Sequence, residues 1–255
     1  MSHLPAGRPF LSAEWRHLLM LNYAVDPELL APFVPAGTVL DPYGARTLAS
    51  VVGFLFLDTR VLGLGVPLHR DFEEVNLRFY VRREAPDGVR RGVVFVREIV
   101  PRRAIAWTAR ALYNENYVAL PMRHEITDHG ASGERSVEYA WKLAGRWSRL
   151  RGAASGEAEF PLPGSEEEFV SEHYWGYARQ RDGGTVEYRV EHPRWTVRPA
   201  TGVSLDADLA ALYGPAFREP LAAPPVSAFL ADGSPVLVHR GTRIAGSVAG
   251  GRPTP

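Results

Sequence analysis

Residues 70–84 read RDFEEVNLRFYVRRE, and their types alternate so that polar side chains gather on one side. In an extended chain successive side chains point to opposite faces. Glu73, Val75, Leu77 and Phe79 then share one face, and Glu74, Asn76, Arg78 and Tyr80 share the other. That second face is either solvated or the lining of a polar cavity able to hold a small ligand. The pattern alone leaves both readings open.

Three further stretches carry ligand-binding or reactive types. Arg16 and His17 stand at the mouth of an apolar strand in EWRHLLMLNYAVDPELLAPFVPAG, residues 14–37. HYWGYARQ, residues 173–180, clusters His173, Tyr174, Trp175 and Tyr177, whose amphipathic rings suit core packing or ligand contact. NENYVALPMRHE, residues 114–125, places Met122 and Arg123 behind Pro121 at the tip of an otherwise polar, turn-forming segment.

Other chemistries lack their residues. The absence of cysteine excludes disulfides, thiolate nucleophiles and cysteine-containing zinc sites. His124-Glu125 and Asp128-His129 are close enough to merit a metal test, but the eight histidines are dispersed without ligand spacing, so no metal is expected. Lys142 is the only lysine, leaving one candidate for a side-chain imine. No GxSxG, HExxH, Walker loop or helix-opening GxGxxG occurs, and no cofactor is expected.

The elements that must position these residues are mostly strands. The apolar runs at 47–63 and 92–100, rich in β-branched and aromatic residues, read as buried strands, and 135–145 alternates Val137, Tyr139, Trp141 and Leu143 with charged or small neighbours. Residues 174–195 read as two strands around Asp182-Gly183-Gly184, and 226–239 as two strands around Asp232-Gly233. Short helices are expected after Asp26-Pro27, over 101–116, over 165–174 and over 206–214. Many strands with four short helices point to an antiparallel β barrel or sandwich in an α+β setting.

Composition sets the outer limits. Apolar residues make up 45% of 255, enough for a substantial core in one domain. Twenty-nine basic and 29 acidic residues cancel, so no broad field attracts phosphate backbones or anionic lipid, and no nucleic-acid partner is expected. No apolar run approaches the roughly 18 residues of a membrane span, and the N-terminus has no signal-peptide core. The expectation is a cytoplasmic protein without a membrane partner. Residues 1–11 read as an N-terminal arm, 12–240 as a single domain and 241–255, rich in Gly and Pro, as a flexible tail.

Taken together, EWRHLLMLNYAVDPELLAPFVPAG, DFEEVNLRFYV, GVVFVREIVPRRAIAWTARALYNENYVALPMRHE and EHYWGYARQRDGGTVEYRVEHPRW closely resemble the YqjF-like family, DUF2071, over roughly residues 10 to 240. The resemblance implies an acetoacetate decarboxylase-like fold, a β-rich cone or barrel around a central cavity. Acetoacetate decarboxylases carry a Pro-Lys-Lys step, one lysine forming a Schiff base and its neighbour lowering that lysine's pKa. The corresponding step here looks like Pro121-Met122-Arg123, and a thioether forms no imine.

By the same resemblance Arg16 would hold a substrate carboxylate and Glu74 would be the cavity glutamate, the general acid/base candidate. Arg16 and Arg78 would offer charge-assisted contacts, Asn76 and Tyr80 would orient the ligand, Met122 and Arg123 would line the pocket floor, and Tyr177 would contribute to binding. The function implied is a small-molecule pocket protein that binds or acts on a carbonyl-containing organic acid without Schiff-base chemistry, as a lyase- or isomerase-like enzyme if it is one. Its rival is a non-catalytic sensor or storage protein. Self-association into a homo-oligomer is left open.

Overall fold

Strand β1, Leu11–Val25, and strand β3, Thr47–Val61, are antiparallel neighbours and the two longest strands among the described residues, and the first ten residues of β3 are all buried. The computed structural model describes residues 8–65, 67, 69–103, 114, 116–130 and 133–244. Between and after these strands come helix α1 (Pro27–Leu30), β2 (Val39–Leu40), β4 (Leu64–Gly65), β5 (Phe72–Ala85) and β6 (Gly88–Val100). Then follow β7 (Tyr117–Ala119), β8 (Met122–His129), β9 (Glu134–Leu143), β10 (Arg146–Ala154), α2 (Glu166–Ser171), β11 (Trp175–Arg179) and β12 (Thr185–Glu191). The chain closes with β13 (Val197–Asp206), α3 (Leu209–Tyr213), α4 (Arg218–Ala222), β14 (Ser227–Val238) and β15 (Thr242–Ile244). Most of the helix expected over 101–116 lies outside the described residues.

One sheet joins these strands in the order β12-β11-β6-β5-β3-β1-β14 and returns on itself, because β14 also pairs with β12 through Val190↔Val238 and Glu191↔Leu237. A second narrow seam, two parallel residue pairs between β11 and β6, completes the ring. The ring is irregular, with seams too short for a regular barrel. From β14 the sheet continues through β13, β10, β9 and β8, and this extension folds over the outside of the ring.

The covering layer explains the pattern in β5. Val75, Leu77 and Phe79, all fully buried, face outward and pack in one core with Tyr139, Trp141 and Leu150 of the extension. Gly53 on β3 lies directly beneath Tyr139, and an added Cβ there would overlap the ring. The even-numbered residues face into the ring, where Phe72 and Tyr80 join a second core with Phe54, Phe56, Phe169 and Trp195. Over residues 74–81 neither face of β5 meets solvent, so its polar face there is the interior one.

Three local features depart from the sequence expectation. Asp232-Gly233 does not make a hairpin; β14 runs through it, paired to β1 on both sides. The dipeptide forms instead a kink, with Gly233 at φ +83°, opposite a matching irregularity at His17, φ 56°. Asp232 is fixed there by Arg198 (2.9 Å) and Arg135 (3.1 Å), and a side chain at 233 would strike the Trp15 carbonyl. Within the segment expected to be a flexible tail, Thr242–Ile244 pairs with β12, because Ile244 is buried in the outer core. The run Pro215–Ala222, a 3-10 turn leading into α4, was not anticipated; Phe217 and Leu221 give it a buried face.

Helix α2 leads directly to residues at the ring interior, and its start is written in the sequence. The Ser165 hydroxyl accepts from the Glu168 amide at 3.2 Å, while the Glu168 carboxylate accepts from the Gly164 amide at 2.7 Å. Ser165→Ala is expected to lower stability by about 1 kcal/mol, measured by urea denaturation with an unchanged slope.

Candidate active site

The interior of the ring encloses a cavity of about 240 Å³. Its position follows from the strand register. At one end Leu11 of β1 pairs with Val61 of β3 and Val238 of β14, and these half-buried residues form the rim. One layer deeper, Trp15 pairs with Phe56, which pairs with Phe72. Deeper again come Phe54 beside Glu74, Val52 beside Asn76, and Ser50 beside Arg78. Three polar side chains of β5 thus lie beyond a ring of aromatics, at 2% (Glu74), 1% (Asn76) and 8% (Arg78) exposure.

Glu74 is the centre of this polar floor. Asn76 Nδ2 donates to its Oε1 at 2.9 Å, and the Tyr117 hydroxyl donates to its Oε2 at 3.3 Å. Burial pushes its carboxyl upward, and hydrogen bonds from Asn76 and Tyr117 with the nearby Arg78 charge pull only partly back, leaving the pKa at about 7. Tyr117 is raised well above the ordinary phenol value, first by burial and then by the carboxylates of Glu74 and Glu98, so its proton stays in place. Glu98, 2% exposed, faces Asn76 across the β5–β6 pair and also lines the cavity.

Arg78 enters from the other side of Asn76. It donates to the Val170 carbonyl at 3.3 Å and touches the Met20 sulfur, while its Nε has no partner among the described residues. Asn76 Oδ1 is likewise unpaired. Both are buried polar atoms on side chains that line the cavity. His173, also at the cavity, is held by Asp41 (Nε2 to Oδ2, 3.4 Å). Burial lowers the His173 pKa, favouring the neutral ring; burial raises that of Asp41, but hydrogen bonds from His173 and Arg91 outweigh it and hold the carboxyl well below its usual range.

The structure brings together three of the residues singled out from sequence: Glu74, Asn76 and Arg78. Tyr80, the next on that face, is 1% exposed and adjoins the site; its hydroxyl is 2.6 Å from Ser50, which donates to Asn22. Arg16 lies elsewhere. Trp15 and Leu18 line the cavity because the irregularity at His17 shifts the inward phase of β1, and Arg16 stays half-exposed, paired with Glu14 and donating to the Gly233 carbonyl. Met122 opens β8 opposite Trp141 and packs on the outer core. Arg123 is exposed, its guanidinium 4.4 Å from the Trp147 ring centre. Tyr177 is fully buried in the outer core and donates to the Arg90 carbonyl.

Glu98, Tyr117 and the Trp15–Trp195 pair were not found by sequence reasoning. Residues 92–100 read only as a buried strand, with no face assigned to Glu98; strict alternation would put it in phase with Val94 and Val96, but Val96 is an extra residue in the β5–β6 ladder, which turns Phe95 and Glu98 to the same side. Tyr117 reaches the floor because β7 adds parallel to β6 with Tyr117 beside Glu98. HYWGYARQ did flag His173, though without a partner; Asp41 is remote in sequence.

No helix among the described residues is long and apolar enough to cross a membrane. Residues 12–235 match the family model DUF2071, described as an uncharacterized conserved protein. A curated relative, the uncharacterized protein YqjF of Bacillus subtilis (strain 168), is 31% identical over 87 residues, which cover 34% of this chain and 36% of that protein. The match thus spans about a third of that relative's length.

Among solved structures, acetoacetate decarboxylase from Legionella pneumophila subsp. pneumophila str. Philadelphia 1 superposes with a TM-score of 0.62 at 14% identity, covering 98% of this chain and 92% of its own. The enduracididine biosynthesis enzyme MppR complexed with pyruvate gives 0.67 at 14%, covering 93% and 91%. An acetoacetate decarboxylase-like enzyme from Sphingomonas wittichii RW1 gives 0.61 at 14%, covering 92% of each. At such identities the likeness concerns the fold. The chain belongs to the DUF2071 family and is built on the β-rich fold of the acetoacetate decarboxylase-like enzymes.

Proposed function

We propose that this protein binds a carbonyl-containing organic acid in the ring cavity and moves a proton on it with Glu74, without an imine. The observation that carries the reading is Glu74 itself, a carboxyl 2% exposed with a pKa of about 7 at the floor of an enclosed cavity. Near neutral pH both its acid and its base forms are populated, the condition for general acid–base work. Arg78 supplies the cation for the ligand's carboxylate. Asn76 lines the cavity beside Glu74 and would orient the ligand. Enolisation, hydration and dehydration are the reactions open to this set.

Imine formation finds no lysine at the cavity. The single lysine, Lys142, is exposed on β9 in the outer layer, away from the cavity. Borohydride added with acetoacetate should leave no covalent adduct by mass spectrometry, and a stoichiometric adduct on Lys142 would restore imine chemistry. The structural likeness to MppR complexed with pyruvate supports the choice of a 2-oxo acid as probe.

Proton transfer is tested by incubating the protein with pyruvate in deuterated buffer and following loss of the methyl proton signal. Accelerated exchange that disappears in Glu74→Gln is the expected result. Pyruvate binding with no acceleration would instead make the protein a non-catalytic ligand carrier or sensor.

A further inference from the structure

The cavity has a second region that a small polar acid leaves unfilled. Between rim and floor the wall is aromatic: Trp15 meets Phe54 and Phe56 edge-on at 5.3 and 5.7 Å, and Phe56 stacks on Phe72 at 4.7 Å. From the opposite side Trp195 approaches Trp15 at 6.2 Å and stacks on His192 at 4.2 Å. The polar groups of β5 begin only one layer beneath, at Glu74. An acid of pyruvate's size, held at the floor, would leave this belt in contact with water.

The volume says how much more fits. An apolar cavity of about 150 Å³ accommodates benzene. This cavity, at about 240 Å³, has space for one aromatic ring and a short polar chain. Edge-to-face and offset contacts with the surrounding rings would favour a flat aromatic body in the belt.

We infer that the ligand is an aryl-substituted oxo acid, its carboxylate and carbonyl lodged on Arg78, Asn76 and Glu74 and its ring lodged in the Trp15–Phe56–Trp195 belt. This rests on the acid-binding reading above and names its substrate class. The order of layers from rim to floor means that the acid end enters first and the ring closes behind it. Water is thereby excluded from the floor, which preserves the raised pKa of Glu74.

The test is calorimetric titration of the intact protein with phenylpyruvate and with pyruvate, which share a head and differ by the ring. Phenylpyruvate should bind at least tenfold more tightly, as burial of a phenyl group requires. Phe56→Trp, which keeps the belt apolar while filling it, should erase that preference. Trp15→Leu should reduce the same preference. Equal affinity for the two acids in the wild-type protein would overturn the aryl inference while leaving the acid-binding reading intact. Binding of neither acid, together with binding of toluene, would instead keep the aromatic chamber and remove the acid-binding reading. Failure of all three probes to bind would overturn the inference.

Discussion

Arg78→Met is expected to weaken pyruvate and phenylpyruvate binding alike, by at least 100-fold, with the protein still folded. A hundredfold loss corresponds to about 2.7 kcal/mol, within the range for truncating one partner of a buried charge-assisted contact. Methionine matches the length of the arginine stem and leaves no unpaired donor, so the Val170 carbonyl is the main group to lose a partner. A second consequence is electrostatic. The Arg78 charge favours the ionised form of Glu74, and its removal should raise the Glu74 pKa further above 7. Calorimetry gives the first effect and NMR titration the second. Unchanged affinity for both acids would show that the carboxylate lies elsewhere.

The second large effect belongs to Glu74→Gln and appears in the pH dependence of stability. Glu74 has a pKa near 4.5 in the unfolded chain and about 7 in the fold. Between those values the native state holds a proton that the unfolded chain has released, so this group's contribution to stability is present below pH 4.5 and is lost as pH rises to 7. The loss amounts to at most about 3 kcal/mol. Glutamine has nothing to ionise, and its amide can occupy the site between Asn76 and Tyr117.

The variant should therefore gain stability over the wild type as pH rises from 5 to 8, by up to about 3 kcal/mol. His173, whose pKa is depressed by burial, acts in the opposite direction below pH 6.5. It is present in both proteins and leaves the difference between them. Parallel stability curves in denaturant titrations across that range would mean that Glu74 is solvated. The same substitution should abolish the pyruvate proton exchange while retaining binding, because the catalytic proton is lost and Arg78 remains.

Periodicity in RDFEEVNLRFYVRRE separated the cavity side chains from the core side chains correctly, yet could not say which set faced water. That depended on the β8–β10 layer, which covers the apolar face from a distant part of the chain. Resemblance to the family favoured the cavity reading over the solvated one, and it also carried over Arg16, Met122 and Arg123, which the structure places outside the cavity. For Arg16 the cause is a one-residue irregularity at His17, which reverses the inward phase of β1. Met122 follows a segment whose course ends in the outer layer, opposite Trp141.

Irregularities in ladders also account for what alternation missed. Glu98 faces the cavity because Val96 is an extra residue, and no amphipathic pattern announces such a step. Asp232-Gly233 has a common hairpin dipeptide, but the need for a positive φ at a kink is met by the same residues as a turn. The helix starts at Asp26 and Ser165 were legible because capping is local chemistry.

The most direct measurement is the titration of the Glu74 side-chain carboxyl by carbon-13 NMR, assigned by comparison with Glu74→Gln and followed from pH 4 to 9. A buried carboxyl at the floor of the cavity should titrate near pH 7 and should respond when pyruvate or phenylpyruvate is added. A midpoint between 4 and 5, indifferent to either acid, would contradict the account, since Glu74 would then be an ordinary solvated carboxylate with no proton to give at neutral pH.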